Sequence, residues 1–252
     1  MISDYYCPVV DPLPNGGGLA RGLANRPLRC FAVIALLLAV ASASHALSAA
    51  ASSRVASAAA MPTKFYIQGD SLTYDSMDSL RKYSSPSSVW VSAKNGRHTY
   101  EGLRIIRALA AKRQLPGAVV VALGTNDDVD SWGVRMFRSQ ATEILRLIGP
   151  SRCVIWIDLY QRPKKGQRGA PYYAPLNRVL ESLKATHHNL RIHHWSRIAA
   201  LHPSWFAYGD PHPSSDGYET RSRGTVNALR GCPRASLAAE PKRADSGGVA
   251  PR

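Results

Sequence analysis

The sequence predicts a three-layer α/β/α domain built on a five-stranded parallel sheet. Three observations predict it. Short apolar, β-branched runs alternate with segments whose apolar residues recur at helical spacing. Two of the runs, Ala118–Leu123 (AVVVAL) and Cys153–Tyr160 (CVIWIDLY), are almost continuously apolar, as strands buried on both faces of a parallel sheet are. The segments between runs are long enough to hold the crossover helices that parallel strands require.

Taken in order, the first strand is KFYIQ (Lys64 to Gln68), ending at Gly69 and followed by polar residues that lead into a helix. The second centres on SSVWVSA, Ser87 to Ala93. Between Thr99 and Gln114, Leu103, Ile106 and Ala110 fall on one helical face with Leu109 beside them. After the third strand, Ala118–Leu123, a helical stripe is formed by Phe137, Ala141, Ile144, Leu145 and Ile148. The fourth strand, Cys153–Tyr160, precedes a helix marked by Leu176, Val179, Leu180 and Leu183. LRIHHW (Leu190 to Trp195) is the fifth strand. A last helix is expected to begin near Asp216, with Glu219 at capping-box spacing, and to carry Tyr218, Thr225, Val226 and Leu229. Right-handed crossovers of this length lead to a doubly wound, flavodoxin-like arrangement.

This domain is expected over residues 61–232. Ahead of it, Arg26 and Arg29 precede the uncharged run FAVIALLLAVASA (Phe31 to Ala43), with small residues following. A basic flank, a short apolar core and an A-x-A stretch describe an export signal. The core is shorter than the ~20 residues that span a bilayer, but apolar character continues to Leu47, so an uncleaved anchor over residues 31–47 stands as the alternative. Residues 1–60 are read as signal and linker, and residues 233–252, rich in Ala, Pro, Arg, Ser and Gly, as a flexible tail.

The net charge is +15, and residues 1–60 contribute four Arg and two Asp of it, leaving +13 for the remainder. Such a field can draw nucleic acid, anionic lipid or an acidic polymer. The basic residues are nevertheless scattered. The densest group, Arg162 to Arg168, lies in a predicted loop, and no nucleic-acid-binding motif accompanies it. A solvated basic surface is the better reading, with no nucleic acid expected as a partner; an anionic cell envelope suits the charge.

In a doubly wound sheet, function gathers beyond the carboxyl ends of the strands. Gly69-Asp70-Ser71 follows the first strand, Lys94-Asn95-Gly96-Arg97 the second, Gly124-Thr125-Asn126-Asp127 the third, and Gly209-Asp210-Pro211-His212-Pro213 the fifth. Each has a bland account. Ser71 can cap a helix, Gly96 can serve a turn, Asn126 and Asp127 can cap the next helix, and His212 can be an exposed loop residue. Together they place a nucleophile, a backbone glycine, a side-chain amide and an imidazole along one edge.

This order resembles the SGNH hydrolase superfamily, also called the GDSL-type esterases, over Lys64 to Leu229. The details are most similar to the SGNH domains associated with bacterial acyltransferases, including those that O-acetylate cell-wall polysaccharides. The segments SAKNGRHTYEGLRII and HHWSRIAALHPSWFAYGDPHPSSDGY carry that likeness. The resemblance implies Ser71 as nucleophile, His212 as the base that activates it, and Asp210 as the acid orienting the ring. It implies an oxyanion hole from the backbone N–H groups of Ser71 and Gly96 and the side-chain amide of Asn126. Asp127 would hold the turn that presents Asn126. No metal or organic cofactor is needed.

The family usually places its acid three residues before the histidine, as D-x-x-H. Here Asp210 is two before His212 and Gly209 stands at the usual place. Either a shorter loop lets Asp210 reach the ring, or a Ser–His dyad works alone; Asp216 is a third candidate, better explained as a helix cap. The implied function is a secreted or membrane-tethered serine esterase or O-acyltransferase. Its substrates would be acylated glycans, lipids or small esters, with acetyl the favoured group. A non-catalytic glycan- or wall-binding module of the same fold is the alternative. Cys153 should open the fourth strand at the edge opposite the site, and Cys232 should end the last helix at that same edge. They can close a disulfide in an exported protein, or remain two free thiols.

Overall fold

In the computed structural model, residues 61–167 and 171–233 are described. The candidate export signal and the C-terminal tail lie outside them. The described elements are β1 (Lys64–Gly69), α1 (Ser71–Tyr74), α2 (Met77–Ser84), β2 (Ser88–Ala93), α3 (Thr99–Ala111), β3 (Ala118–Ala122), α4 (Ser131–Ile148), β4 (Cys153–Ile157), α5 (Ala174–Lys184), β5 (Leu190–His193), α6 (Trp195–Leu201) and α7 (Ser215–Arg230), with one 3-10 turn at Pro203–Trp205. All four strand pairings are parallel, in the order β2-β1-β3-β4-β5. The sequence expectation of a five-stranded, flavodoxin-like sheet holds.

Strand residues alternate between two cores, one on each face of the sheet. Tyr66, Val119, Val121, Val154 and Trp156 face α3, α4 and α5, meeting Ile106, Phe137, Ile144, Leu176 and Leu180. Phe65, Ile67, Val120, Ile155 and Ile157 face the other way, toward Leu80 of α2, Trp195 of α6 and Leu229 of α7. This is why β3 and β4 read as unbroken apolar runs: every residue of both is buried. Each such side chain contributes about 1.5–3 kcal/mol by leaving water. The edge strand β2 is only half covered, and its Trp90 is 47% exposed while its ring packs 4.8 Å from that of Tyr66.

The last helix begins where expected, but without the expected capping box. α7 starts at Ser215 with Ser214 as N-cap, so Asp216 lies in the first turn and no capping box joins it to Glu219. Glu219 instead accepts hydrogen bonds from Lys82 Nζ and Tyr83 Oη, both 3.0 Å away on α2. A long-range partner has displaced a local one. Cys153, at the start of β4, and Cys232, just past α7, are joined by a disulfide with Cα atoms 5.7 Å apart. Both lie at the end of the sheet away from the strand carboxyl termini.

Candidate active site

Gly69 at the end of β1 is level with Ala93 of β2 and Ala122 of β3. Three chain segments therefore leave the sheet side by side, and β1 and β3 flank the point where the strand order reverses.

Gly69-Asp70-Ser71 divides its labour by residue. A Cβ on Gly69 would sit 2.1 Å from Thr73 Oγ1, so only glycine lets α1 fold back this closely. Asp70, fully buried, is the N-cap: its Oδ1 accepts from Leu72 N at 3.1 Å, and its carbonyl accepts from Thr73 N and Tyr74 N. Burial pushes the Asp70 carboxyl above the usual range, opposed by the positive charge of Arg221. Because Asp70 does the capping, the Ser71 hydroxyl is left for another partner. Its backbone N–H, at the first position of α1, is one of those that helix geometry leaves without an intrahelical acceptor.

That partner is His212, whose Nε2 lies 2.9 Å from Ser71 Oγ. On the other side of the ring, Nδ1 is 2.8 Å from Asp210 Oδ1, and the same oxygen accepts from the backbone N–H of His212 at 2.9 Å. One carboxylate oxygen thus closes an Asx turn across Pro211 and meets the ring that the turn presents. Partial desolvation raises the Asp210 carboxyl, but the two hydrogen bonds from His212 outweigh this and hold it below the usual carboxylate range. As an ionised carboxylate, Asp210 only accepts, which places the proton on Nδ1 and leaves Nε2 to accept from the Ser71 hydroxyl. Both Asp210 and His212 side chains are 42% exposed, so the site is open to solvent.

The two-residue spacing has a local cause. Asp210 N donates to Ala207 O at 3.2 Å, closing a turn in which Gly209 takes φ +75°. The position where the family usually carries its acid is here a left-handed turn position that favours glycine. The carboxylate that meets the ring stands one residue later, on Asp210, and Asp216 is exposed on α7.

Gly96 occupies the third position of a second turn, closed by Arg97 N to Lys94 O at 3.2 Å, with φ +70°. Asn126 follows β3, and its Nδ2 donates to Arg97 O at 3.1 Å, which ties the two oxyanion candidates together and leaves the second amide hydrogen of Asn126 uncommitted. Asp127 reaches further than expected. It accepts from Thr99 N at 3.1 Å and from Thr99 Oγ1, and lies 3.2 Å from His98 Nδ1, so it caps α3. α4 is capped instead by Asp130, whose Oδ1 accepts from Gly133 N at 2.6 Å.

Two residues that sequence reasoning passed over support the site. Arg97 is 7% exposed, and its Nη1 donates to Gly69 O at 2.9 Å and Ser92 O at 2.6 Å, fastening the Gly96 turn to the ends of β1 and β2. Tyr218 Oη donates to Asp75 Oδ2 at 2.9 Å, linking the helix after the histidine to the end of the one that carries the serine. The Arg97–Gly69 and Tyr218–Asp75 contacts join segments far apart in sequence, and nothing in the local pattern marks them.

Among solved structures the chain is similar to the C-terminal catalytic domain of Streptococcus pneumoniae peptidoglycan O-acetyltransferase A, at 16% identity and a TM-score of 0.54, over 71% of this chain and 97% of that one. It is likewise similar to a lipase/acylhydrolase from Enterococcus faecalis, at 22% identity and a TM-score of 0.56, over 67% and 95%. A member of the lipolytic G-D-S-L family from Veillonella parvula matches at 16% and 0.54, over 65% and 96%. The chain has the SGNH-hydrolase fold. No protein-family model matches the sequence, and no curated protein does at a significant level. In this SGNH fold the matched part of the chain spans almost the whole of each similar domain.

Proposed function

We propose that the protein is a serine esterase or O-acyltransferase that works through an acyl-enzyme on Ser71. The contact between Ser71 Oγ and His212 Nε2, with Asp210 behind the ring, carries this reading. The alternative, a binding module whose short Asp–His loop has lost activity, loses its main support, because Asp210 reaches the ring through the Asx turn.

In the reaction, His212 Nε2 takes the hydroxyl proton as Ser71 Oγ attacks the ester carbonyl. Negative charge gathers on the carbonyl oxygen, toward which the N–H groups of Ser71 and Gly96 and the amide of Asn126 would donate. Collapse breaks the bond to the alcohol, which leaves with the proton from His212. Water, or a second hydroxyl, then attacks the acyl-enzyme. His212 takes that proton and returns it to Ser71 Oγ as the acyl group departs.

The similarity to a peptidoglycan O-acetyltransferase domain favours acetyl esters of envelope glycans or lipids as substrates. The open site suits a polymer or a small ester. The disulfide suits an oxidising compartment, and with the apolar run at 31–47 favours export, secreted or tethered. Hydrolysis of an aryl acetate by the protein, beside Ser71→Ala, tests the reading. Turnover lost in the variant supports it. Equal rates from two folded proteins would return the site to the binding-module reading.

A further inference from the structure

The loop that carries Asp210 and His212 is exposed, and something must hold it in register with Ser71. One residue outside the loop touches it four times. Arg162, in the segment after β4, donates its backbone N–H to Asp210 O at 3.3 Å and accepts from Gly209 N at 2.9 Å through its carbonyl. Its Nη1 donates to Phe206 O at 2.6 Å, and its guanidinium lies 3.8 Å from the centroid of the Tyr208 ring. These contacts bracket the Ala207–Asp210 turn. Phe206 precedes it, Tyr208 and Gly209 are its middle residues, and Asp210 ends it. At the base of the loop, Phe206 pairs with Pro213 in an antiparallel bridge, and Ser214 N donates to Trp205 O at 2.7 Å.

We propose that Arg162 is a positioning residue for the Asp210–His212 pair, and that it makes the two-residue acid-to-histidine spacing workable. The inference rests on the serine-esterase reading above. A short loop has less freedom to adjust the carboxylate toward the ring, so its turn must be held from outside. The side chain suits this task. A planar guanidinium can donate in its own plane to a carbonyl while its face stacks on an aromatic ring, and a lysine ammonium cannot do both. In the sequence Arg162 reads as the first member of a basic run; in the structure it is a clamp.

The test uses the full-length protein, Arg162→Ala and Arg162→Lys, with steady-state kinetics on an aryl acetate, thermal melts and one-dimensional proton NMR of the His212 Nδ1 proton. Arg162→Ala is expected to lower kcat by about 10–100-fold, the scale of a small misplacement of a reacting group. KM should change by less than about twofold, since substrate contacts are untouched. Arg162→Lys should fall between the two. The downfield Nδ1 proton signal of wild type should broaden or move upfield in Arg162→Ala. Wild-type kcat in Arg162→Ala with an unchanged Nδ1 signal overturns the proposal, as does a lowered melting temperature with unchanged turnover per folded molecule. If Arg162→Ala does not fold, Tyr208→Leu removes the stacking ring from an exposed position, and an unchanged kcat there is equally decisive against it. Should wild type show no Ser71-dependent turnover, the esterase reading fails, and the Nδ1 signal alone then decides whether Arg162 sets the Asp210–His212 contact.

Discussion

His212 Nε2 and Ser71 Oγ stand 2.9 Å apart across 141 residues of chain. Neither side chain is buried, so the contact is set by the elements beneath. Ser71 is fixed by the Asp70 cap, and His212 by the Asx turn. If the contact is catalytic, His212→Gln should lower kcat by about 10²–10⁴-fold, the range for a positioned acid–base group. Circular dichroism of the variant should match wild type. A loss of less than about threefold would leave Ser71 without the base assigned to it.

Asp210 is the carboxylate that meets His212 Nδ1, and on the proposed reading Gly209 is not a position that can take over its role. Moving the carboxylate back, as Gly209→Asp with Asp210→Ala, should not restore the activity that Asp210→Ala loses. At φ +75° a side chain is strained by about 1–2 kcal/mol, and a Cβ would meet Lys164 Cγ at 3.2 Å. Kinetics of the single and double variants on one ester would decide, and recovery in the double variant would contradict the turn argument.

Asn126 is tied to Arg97 O by one amide hydrogen and has the other to offer. Asn126→Ala is expected to lower kcat by about 10²–10³-fold, with KM changed far less, because an oxyanion donor acts only as charge develops. An effect confined to KM would instead assign Asn126 to ground-state binding.

The disulfide closes a loop with 79 residues of separation, at the sheet end remote from Ser71. Replacing Cys153 and Cys232 by Ser together should cost about 2–4 kcal/mol of stability. The melting temperature should drop by about 5–15 °C for a domain of this size. Turnover at 25 °C should stay at the wild-type level, since no site residue is touched. A loss of turnover from protein still folded at that temperature would show that the disulfide reaches the site.

Burial lowers the imidazole of His193, at the end of β5, to about 4, and the charge of Arg221 acts in the same direction. Unfolded, the ring titrates near ~6.5. Below that pH the unfolded chain binds a proton that the folded protein refuses, so stability falls as pH drops from about 6.5 to about 4, by about 3 kcal/mol at most. Asp158 and Asp70, held above the usual range by burial, act with the opposite sign as pH rises from about 4. His193→Gln should therefore flatten the acid side of the stability profile relative to wild type. Parallel curves from chemical unfolding between pH 4 and 7 would remove His193 as a cause.

The sequence by itself determined the layers. Apolar period and run length are local properties, and they placed all five strands, because a strand buried on both faces must be apolar throughout and a covering helix must repeat near every fourth residue. It also placed Ser71, Gly96, Asn126 and His212 after their strands, since those ends are where turn residues cluster. The start of α7 was legible to within a residue, but the capping box was not, because the Asp216–Glu219 spacing satisfies a local rule that Lys82 and Tyr83 override from α2. Only the tertiary structure decided that Asp70 caps and frees Ser71, that Asp210 reaches the ring from two residues away, that Asp127 serves α3, and that Arg97 and Arg162 brace the two turns. Each depends on a backbone angle or on a partner tens of residues distant, and neither leaves a periodic trace in the chain.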